Sequence, residues 1–230
     1  MLKIILRTGG KVITIFCLIA AAGYAQMAKN APGYSSEKVW QLPFASTGNT
    51  ISINVLNSSA VEASNVSVTF NNPPSWFQLK SDVVLIKSIP ALSSKDAKFE
   101  FSLDKNAPTG KDTTLTATVS IPNGQKWTRE FRISVQVPKD YKLYNNYPNP
   151  FNPSTKIAFE LPRTSHVTMV IYDITGSEVA RIANGEYPAG YNEVTWNGLN
   201  DNGEHVSSGI YFYRISAGSW SKVMKMMMLK

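Results

Sequence analysis

Asp96-Ala97-Lys98-Phe99-Glu100-Phe101-Ser102-Leu103 places apolar side chains at positions 97, 99, 101 and 103 and polar ones between them. Successive side chains of an extended chain point to opposite faces, so this octet has one face for a core and one for water. The same period runs outward in both directions, through Thr50 to Leu56, Asn65 to Phe70, Thr113 to Ile121 and Lys126 to Val137. Between the runs stand turn-forming clusters: Asn57-Ser58-Ser59, Asn71-Asn72-Pro73-Pro74, Asn106-Ala107-Pro108-Thr109-Gly110 and Pro122-Asn123-Gly124. No segment carries a helical period. Several short strands punctuated by turns over about a hundred residues predict an immunoglobulin-like β-sandwich spanning residues 34–137.

Pro138 to Pro153 interrupts the alternation with four prolines and four asparagines, and residues 138–146 read as a linker. A second alternating series follows: Thr155 to Leu161, His166 to Asp173, Glu178 to Ile182, Tyr191 to Trp196, Ile210 to Ile215 and Lys222 to Leu229. Asp173-Ile174-Thr175-Gly176 and Asp201-Asn202-Gly203 are hairpin signals within it. The predicted fold class is all-β, two tandem immunoglobulin-like β-sandwiches behind a signal peptide.

That leader is read from three zones. Lys3, Arg7 and Lys11 form a basic start, Val12 to Ala22 an apolar stretch too short to span a bilayer, and Gly23-Tyr24-Ala25 a small-residue cleavage site. Residues 1–25 are therefore expected to be removed, and Cys17, the one cysteine of the 230-residue chain, goes with them. Phe16 before it argues against lipid attachment. The exported chain must then be stable without disulfides. Removing three basic residues lowers the net charge from +7 to +4, with 20 basic against 16 acidic residues. Cations and anions are interleaved, which gives nucleic acid no basic stripe to bind.

Chemistry is sparse. The two histidines, His166 and His205, lack a second ligand at metal spacing; no serine lies in a nucleophile elbow; and Asp201, Asn202 and Glu204 lack the full spacing of a calcium loop. The expectation is a non-enzymatic protein with no catalytic, cofactor or metal residues and no cofactor. For the tryptophans two readings stand. Trp76 and Phe77, with Trp40, Trp127 and Trp220, offer flat faces for a glycan, which would make the first sandwich a carbohydrate-binding module; or each fills or covers a sandwich core. The sequons at Asn57 and Asn65 carry little weight.

The last ninety residues hold more than an alternating pattern. Tyr147-Pro148-Asn149-Pro150-Phe151-Asn152-Pro153-Ser154-Thr155 opens the unit and Val170 to Val179 is its centre. Ala189 to Gly198 follows, then Ser208-Gly209-Ile210-Tyr211-Phe212-Tyr213 and an apolar, basic tail ending in Lys230. In order, spacing and terminal position, residues 141–230 resemble the type A C-terminal sorting domain of the type IX (Por) secretion system, itself similar to the immunoglobulin-like domain of the flagellar hook-capping protein. The resemblance implies that 147–230 is an export signal. Its Pro-x-Pro motif falls on Pro148, Asn149 and Pro150, its Gly-x-Tyr motif on Gly209 and Tyr211, and its terminal basic motif on Lys225 to Lys230. Met226, Met227 and Met228 stand where branched aliphatics are commoner.

It further implies partners: the type IX translocon, a sortase that removes the domain, and surface lipopolysaccharide or glycan. The product would be secreted or held at the cell surface after crossing the periplasm and the outer membrane. The first sandwich is then the cargo, with an adhesive or structural role, and it resembles the accessory immunoglobulin-like domains beside secreted glycosidases and peptidases. Gly176, Gly190, Gly198, Gly203 and Gly209 are expected to supply turn conformations, and Trp196 and Tyr211 to pack inside.

Overall fold

In the computed structural model the chain is described over residues 2–8, 11–19 and 39–230, and it divides into two units, Met1–Gln136 and Val137–Lys230. Among the described residues all regular structure is β, in sheets that pair face to face as immunoglobulin-like sandwiches. The expected cleavage site at 23–25 and the expected first residues of the sandwich, 34–38, lie outside the described residues.

The first unit contains β1 (Leu2–Thr8), β2 (Lys11–Ile19), β3 (Val39–Leu42), β4 (Asn49–Asn57), β5 (Ala63–Asn71), β6 (Phe77–Leu79), β7 (Val83–Ile89), β8 (Ser94–Leu103), β9 (Asp112–Ser120) and β10 (Lys126–Val135). One sheet runs β1-β2-β4-β8-β6 and the other β3-β10-β9-β5-β7. Five strands coincide with the alternating runs to within two residues. The short β3 and β6 give too few positions for a period to show, and β7 begins Val83-Val84-Leu85-Ile86, where a continuous apolar run hides the alternation. Ala97, Phe99, Phe101 and Leu103, the inward face of the octet, are all buried. Phe99 meets Phe70 edge to face at 4.8 Å, and Phe101 stacks on Phe77 at 4.6 Å. Of the residues expected to form the leader, 2–8 and 11–19 are strands: β1 pairs with β4 antiparallel over Thr50–Asn54, and β2 pairs with it parallel over Val55–Asn57.

The second unit holds β11 (Lys142–Leu143), β12 (Thr155–Leu161), β13 (Ser165–Tyr172), β14 (Glu178–Tyr187), β15 (Gly190–Trp196), β16 (Gly209–Ala217) and β17 (Trp220–Met228). A three-stranded sheet, β11-β12-β15, faces a four-stranded one, β14-β13-β16-β17. Their inner faces meet around Phe159, Val167, Ile171, Trp196, Tyr213, Ile215, Met226 and Met228, all buried. At the β13–β14 hairpin one oxygen of Asp173 accepts from the Thr175 and Ser177 amides and the Thr175 hydroxyl. Those bonds, the Thr175 hydroxyl foremost, hold its carboxyl below the usual carboxylate range.

The expected linker needs correcting. Residues 141–146 belong to the second sandwich: β11 pairs with β12, Leu143 is buried, and Tyr141 stacks on Trp220 at 5.1 Å. Proline and asparagine mark a loss of alternation, but an isolated two-residue strand needs no alternation to join a sheet.

Candidate functional site

The opening segment is fixed from beneath. Asn146 and Thr155 are both buried and hydrogen-bonded to each other at 3.0 Å, and both donate to the Pro148 carbonyl, at 3.0 and 2.8 Å. Tyr213, fully buried on β16, donates its hydroxyl to the Tyr144 carbonyl at 2.9 Å and accepts from the Asn146 amide at 3.2 Å. Burial pushes its phenol up to about 12. The Tyr147 backbone bonds in both directions to Lys156, which leaves its ring 80% exposed beside Pro148. The Tyr147–Pro148, Asn149–Pro150 and Asn152–Pro153 peptide bonds are cis.

Held this way, the Pro148-Asn149-Pro150 turn lies along the last turn of chain. The Asn149 side-chain oxygen accepts from the Met227 amide at 3.0 Å. The Phe151 amide donates to the Met227 carbonyl at 3.0 Å, and the Leu229 amide to the Phe151 carbonyl at 2.9 Å. Proline carries no amide hydrogen, so among residues 148–151 only Asn149 and Phe151 could donate from the backbone, and Phe151 does. Gly209 stands opposite Met228 across the β16–β17 ladder, and the Lys230 amide donates to Ser208 Oγ at 3.0 Å. Behind this corner Phe151, Trp196 and Tyr211 form an aromatic file with centroids 5.5 and 5.3 Å apart, and the Tyr211 hydroxyl donates to the Ser207 carbonyl.

Gly198 is the tightest point. Its φ is +71°, and a Cβ there would come within 2.8 Å of the Met228 methyl and 2.9 Å of the Pro153 carbonyl. Gly209, by contrast, opens β16 in an ordinary extended conformation and serves no turn, which corrects the expectation for it.

The methionine run divides by strand geometry. Met226 and Met228 point into the core, while Val223, Lys225 and Met227 face out on the other side of β17. Their cross-strand neighbours are Arg214, Phe212 and Ile210. With Leu229 and Lys230, this makes an exposed face of apolar side chains set with cations. Of the sequence-read motifs, Asn149, Pro150, Gly209, Tyr211 and Lys230 meet at the corner, and Pro148 is anchored just behind it. Lys225 stands further along β17 on the outer face. Sequence reading passed over Asn146 and, though Tyr147, Thr155 and Tyr213 stand in the quoted motif stretches, gave them no role, since nothing in their spacing marks a buried hydroxyl or amide that bonds to a turn.

The other candidates fare differently. Phe77 is 2% exposed and stacked inside the first core, so it cannot form part of a glycan platform. Trp76 is half-buried at the edge of the same core, Trp127 likewise packs against it, and Trp40 is buried. Trp220 covers the second core. His166 lies between Asn184 and Glu186 on the surface of β13 and β14. Asp201 accepts the Arg181 amide, and the neighbouring Asn200 accepts the amides of Asn202 and Glu204, so that loop is a closed turn. Among the described residues no three His, Cys, Asp or Glu side chains gather as a metal site, and no helix is long and apolar enough to cross a membrane. Asn57 is buried, its side-chain amide donating to the carbonyls of Val61, Ile89 and Pro90, which removes that sequon from consideration.

Comparison with known proteins gives one family, the FlgD Ig-like domain, which matches residues 145–221. No curated protein matches the chain. Among solved structures, dimeric latent PorU from Porphyromonas gingivalis is similar at 12% identity and a TM-score of 0.35, over 95% of this chain and 22% of PorU. The CupB2 chaperone of Pseudomonas aeruginosa is similar at 10% identity and 0.31, over 84% of this chain and 99% of the chaperone. Invasin, a bacterial integrin-binding protein, is similar at 11% identity and 0.36, over 80% of this chain and 36% of invasin. The chain thus spans about a fifth of PorU's length and about a third of invasin's.

Proposed function

We propose that the second unit is an export signal, a type A C-terminal sorting domain of the type IX secretion system, and that the first unit is its non-enzymatic cargo. The observation that carries this reading is the corner itself. Two segments at opposite ends of the unit, Asn149 to Phe151 and Met227 to Leu229, are tied by three hydrogen bonds, one from the Asn149 side chain and two from the Phe151 backbone, beside an exposed face that is both apolar and basic. Closing a sandwich does not require that face. Uncompensated apolar side chains with cations around them on an edge strand suit a partner surface, and the partner proposed is the translocon. On this reading the leader directs the chain to the periplasm and the second unit takes it across the outer membrane. A sortase then removes that unit, leaving the first sandwich released or attached to surface lipopolysaccharide, in an adhesive or structural role. The glycan-module alternative is weakened by the burial of Phe77.

The test is fractionation of cells with an intact outer membrane. Residues 1–136 alone should fold but remain periplasmic, whereas the full chain reaches the surface or medium. Lys225→Glu with Lys230→Glu should also block export while leaving the melting temperature and circular dichroism unchanged, since both side chains are exposed. Export of residues 1–136 at the level of the full chain would refute the assignment.

A further inference from the structure

A strand at the margin of a sheet presents unpaired amides and carbonyls, and soluble proteins guard such edges with charge, proline, bulges or shortness. This chain does so at its other margins. β3, β6 and β11 have four, three and two residues; β7 carries Lys87; β17 carries Lys222 and Lys225; β15 carries Glu193. β14 carries Glu178, Arg181 and Glu186, and its pairing with β13 is broken by register shifts.

β4 has none of these guards. Its nine residues, Asn49-Thr50-Ile51-Ser52-Ile53-Asn54-Val55-Leu56-Asn57, include no charge and no proline, and they pair with β8 without a break from Asn49 opposite Phe101 to Leu56 opposite Ser94. Among the described residues its other edge is filled only by β1 and β2, which lie wholly within the residues read as the leader. The first sheet without them is β4-β8-β6, with β4 outermost.

We propose that in the exported protein the vacated β4 edge pairs antiparallel with β4 of a second copy, joining two three-stranded sheets into one. This rests on the leader reading. Antiparallel pairing suits the edge because β1 already pairs with it so over Thr50–Asn54. A second copy suits it because the strand is nearly its own complement about Ile53. Ile51 then faces Val55 on the core side and Ser52 faces Asn54 on the opposite face, apolar against apolar and polar against polar, and a strand without charge sets up no repulsion.

The test uses the protein recovered after export. Its intact mass fixes the first residue, and sedimentation over micromolar to submillimolar concentrations fixes its assembly. The expected results are a start after Ala25, twice the chain mass at high concentration, and slow hydrogen exchange along β4. Asn54→Lys should keep the fold, since Asn54 is half-exposed and bonds to Asp96 at 2.6 Å, a partner a lysine can take over. It should weaken the dimer by at least about tenfold and restore exchange in β4. Should that variant unfold, Thr50→Lys, half-exposed opposite Glu100 of β8, serves the same purpose. A monomer at every concentration overturns the pairing and leaves the leader reading intact, whether its β4 amides exchange or are covered by the chain's own residues. A dimer indifferent to the lysine also overturns it. An exported chain that retains residues 2–19 overturns the leader reading, and the pairing with it, because the edge stays filled.

Discussion

Tyr213 shows how one hydroxyl holds the segment that leads into the Pro148 turn. Buried between the sheets, it bonds to the backbone of both Tyr144 and Asn146, and Asn146 in turn holds Pro148. In Tyr213→Phe the ring's packing remains, but a half-buried carbonyl and a buried amide lose their partner, so the second unit should lose about 1–3 kcal/mol in denaturant unfolding. The pH dependence follows from the direction of its shift. Its phenol is pushed up to about 12 in the folded state, against about 10 in the unfolded chain. The stability tied to the neutral hydroxyl is complete below pH of about 10 and is lost as pH rises toward 12, because there the unfolded chain binds fewer protons. Tyr213→Phe should therefore flatten the alkaline limb of the stability profile. A limb identical to the parent's would show that the hydroxyl has no such role.

Among the elements, β11 was read as linker, and its place in the second sandwich carries a measurable consequence. A fragment beginning at Tyr147 discards the β11 pairing, the burial of Leu143, the Tyr141–Trp220 stack and both partners of Tyr213. The lost leucine burial, the lost β11 ladder and the orphaned Tyr213 hydroxyl together predict that residues 147–230 are less stable than residues 137–230 by about 3–5 kcal/mol. Urea unfolding of the two fragments measures the difference, and equal midpoints would make β11 an ornament. The long strands were legible because a half-buried sheet imposes period two on nine or ten residues. A two-residue strand imposes nothing on the sequence, and proline-rich chain that is buried looks the same as proline-rich chain that is free.

For the molecule as a whole, the division into two units predicts that damage stays where it is made. Asn57 closes the end of β4 by donating to three carbonyls, while its oxygen accepts from the Ser59 amide and hydroxyl. Asn57→Ala should lower the first unit's stability by about 2–3 kcal/mol. Calorimetry of the full chain should then show one transition shifted and the other unmoved. A common shift of both would mean that the sandwiches unfold as one.

Alternation in the sequence determined the all-β class, the positions of the long strands and which residues fill each core, because burial acts on every second side chain of a strand regardless of what the strand pairs with. Motif order likewise set Pro148 to Pro150 and Lys225 to Lys230 apart from the plain alternating pattern. That these two segments touch was decided only by the tertiary structure. Their contact is made by the Asn149 side chain and by the backbone of Phe151, Met227 and Leu229, and backbone groups are the same in every residue and leave no trace in composition or period. For the same reason, no property of Trp76 or Phe77 as residues told which was buried. Phe77 vanished into the core because Phe101 lies above it, and that neighbour is set by the pairing of β6 with β8.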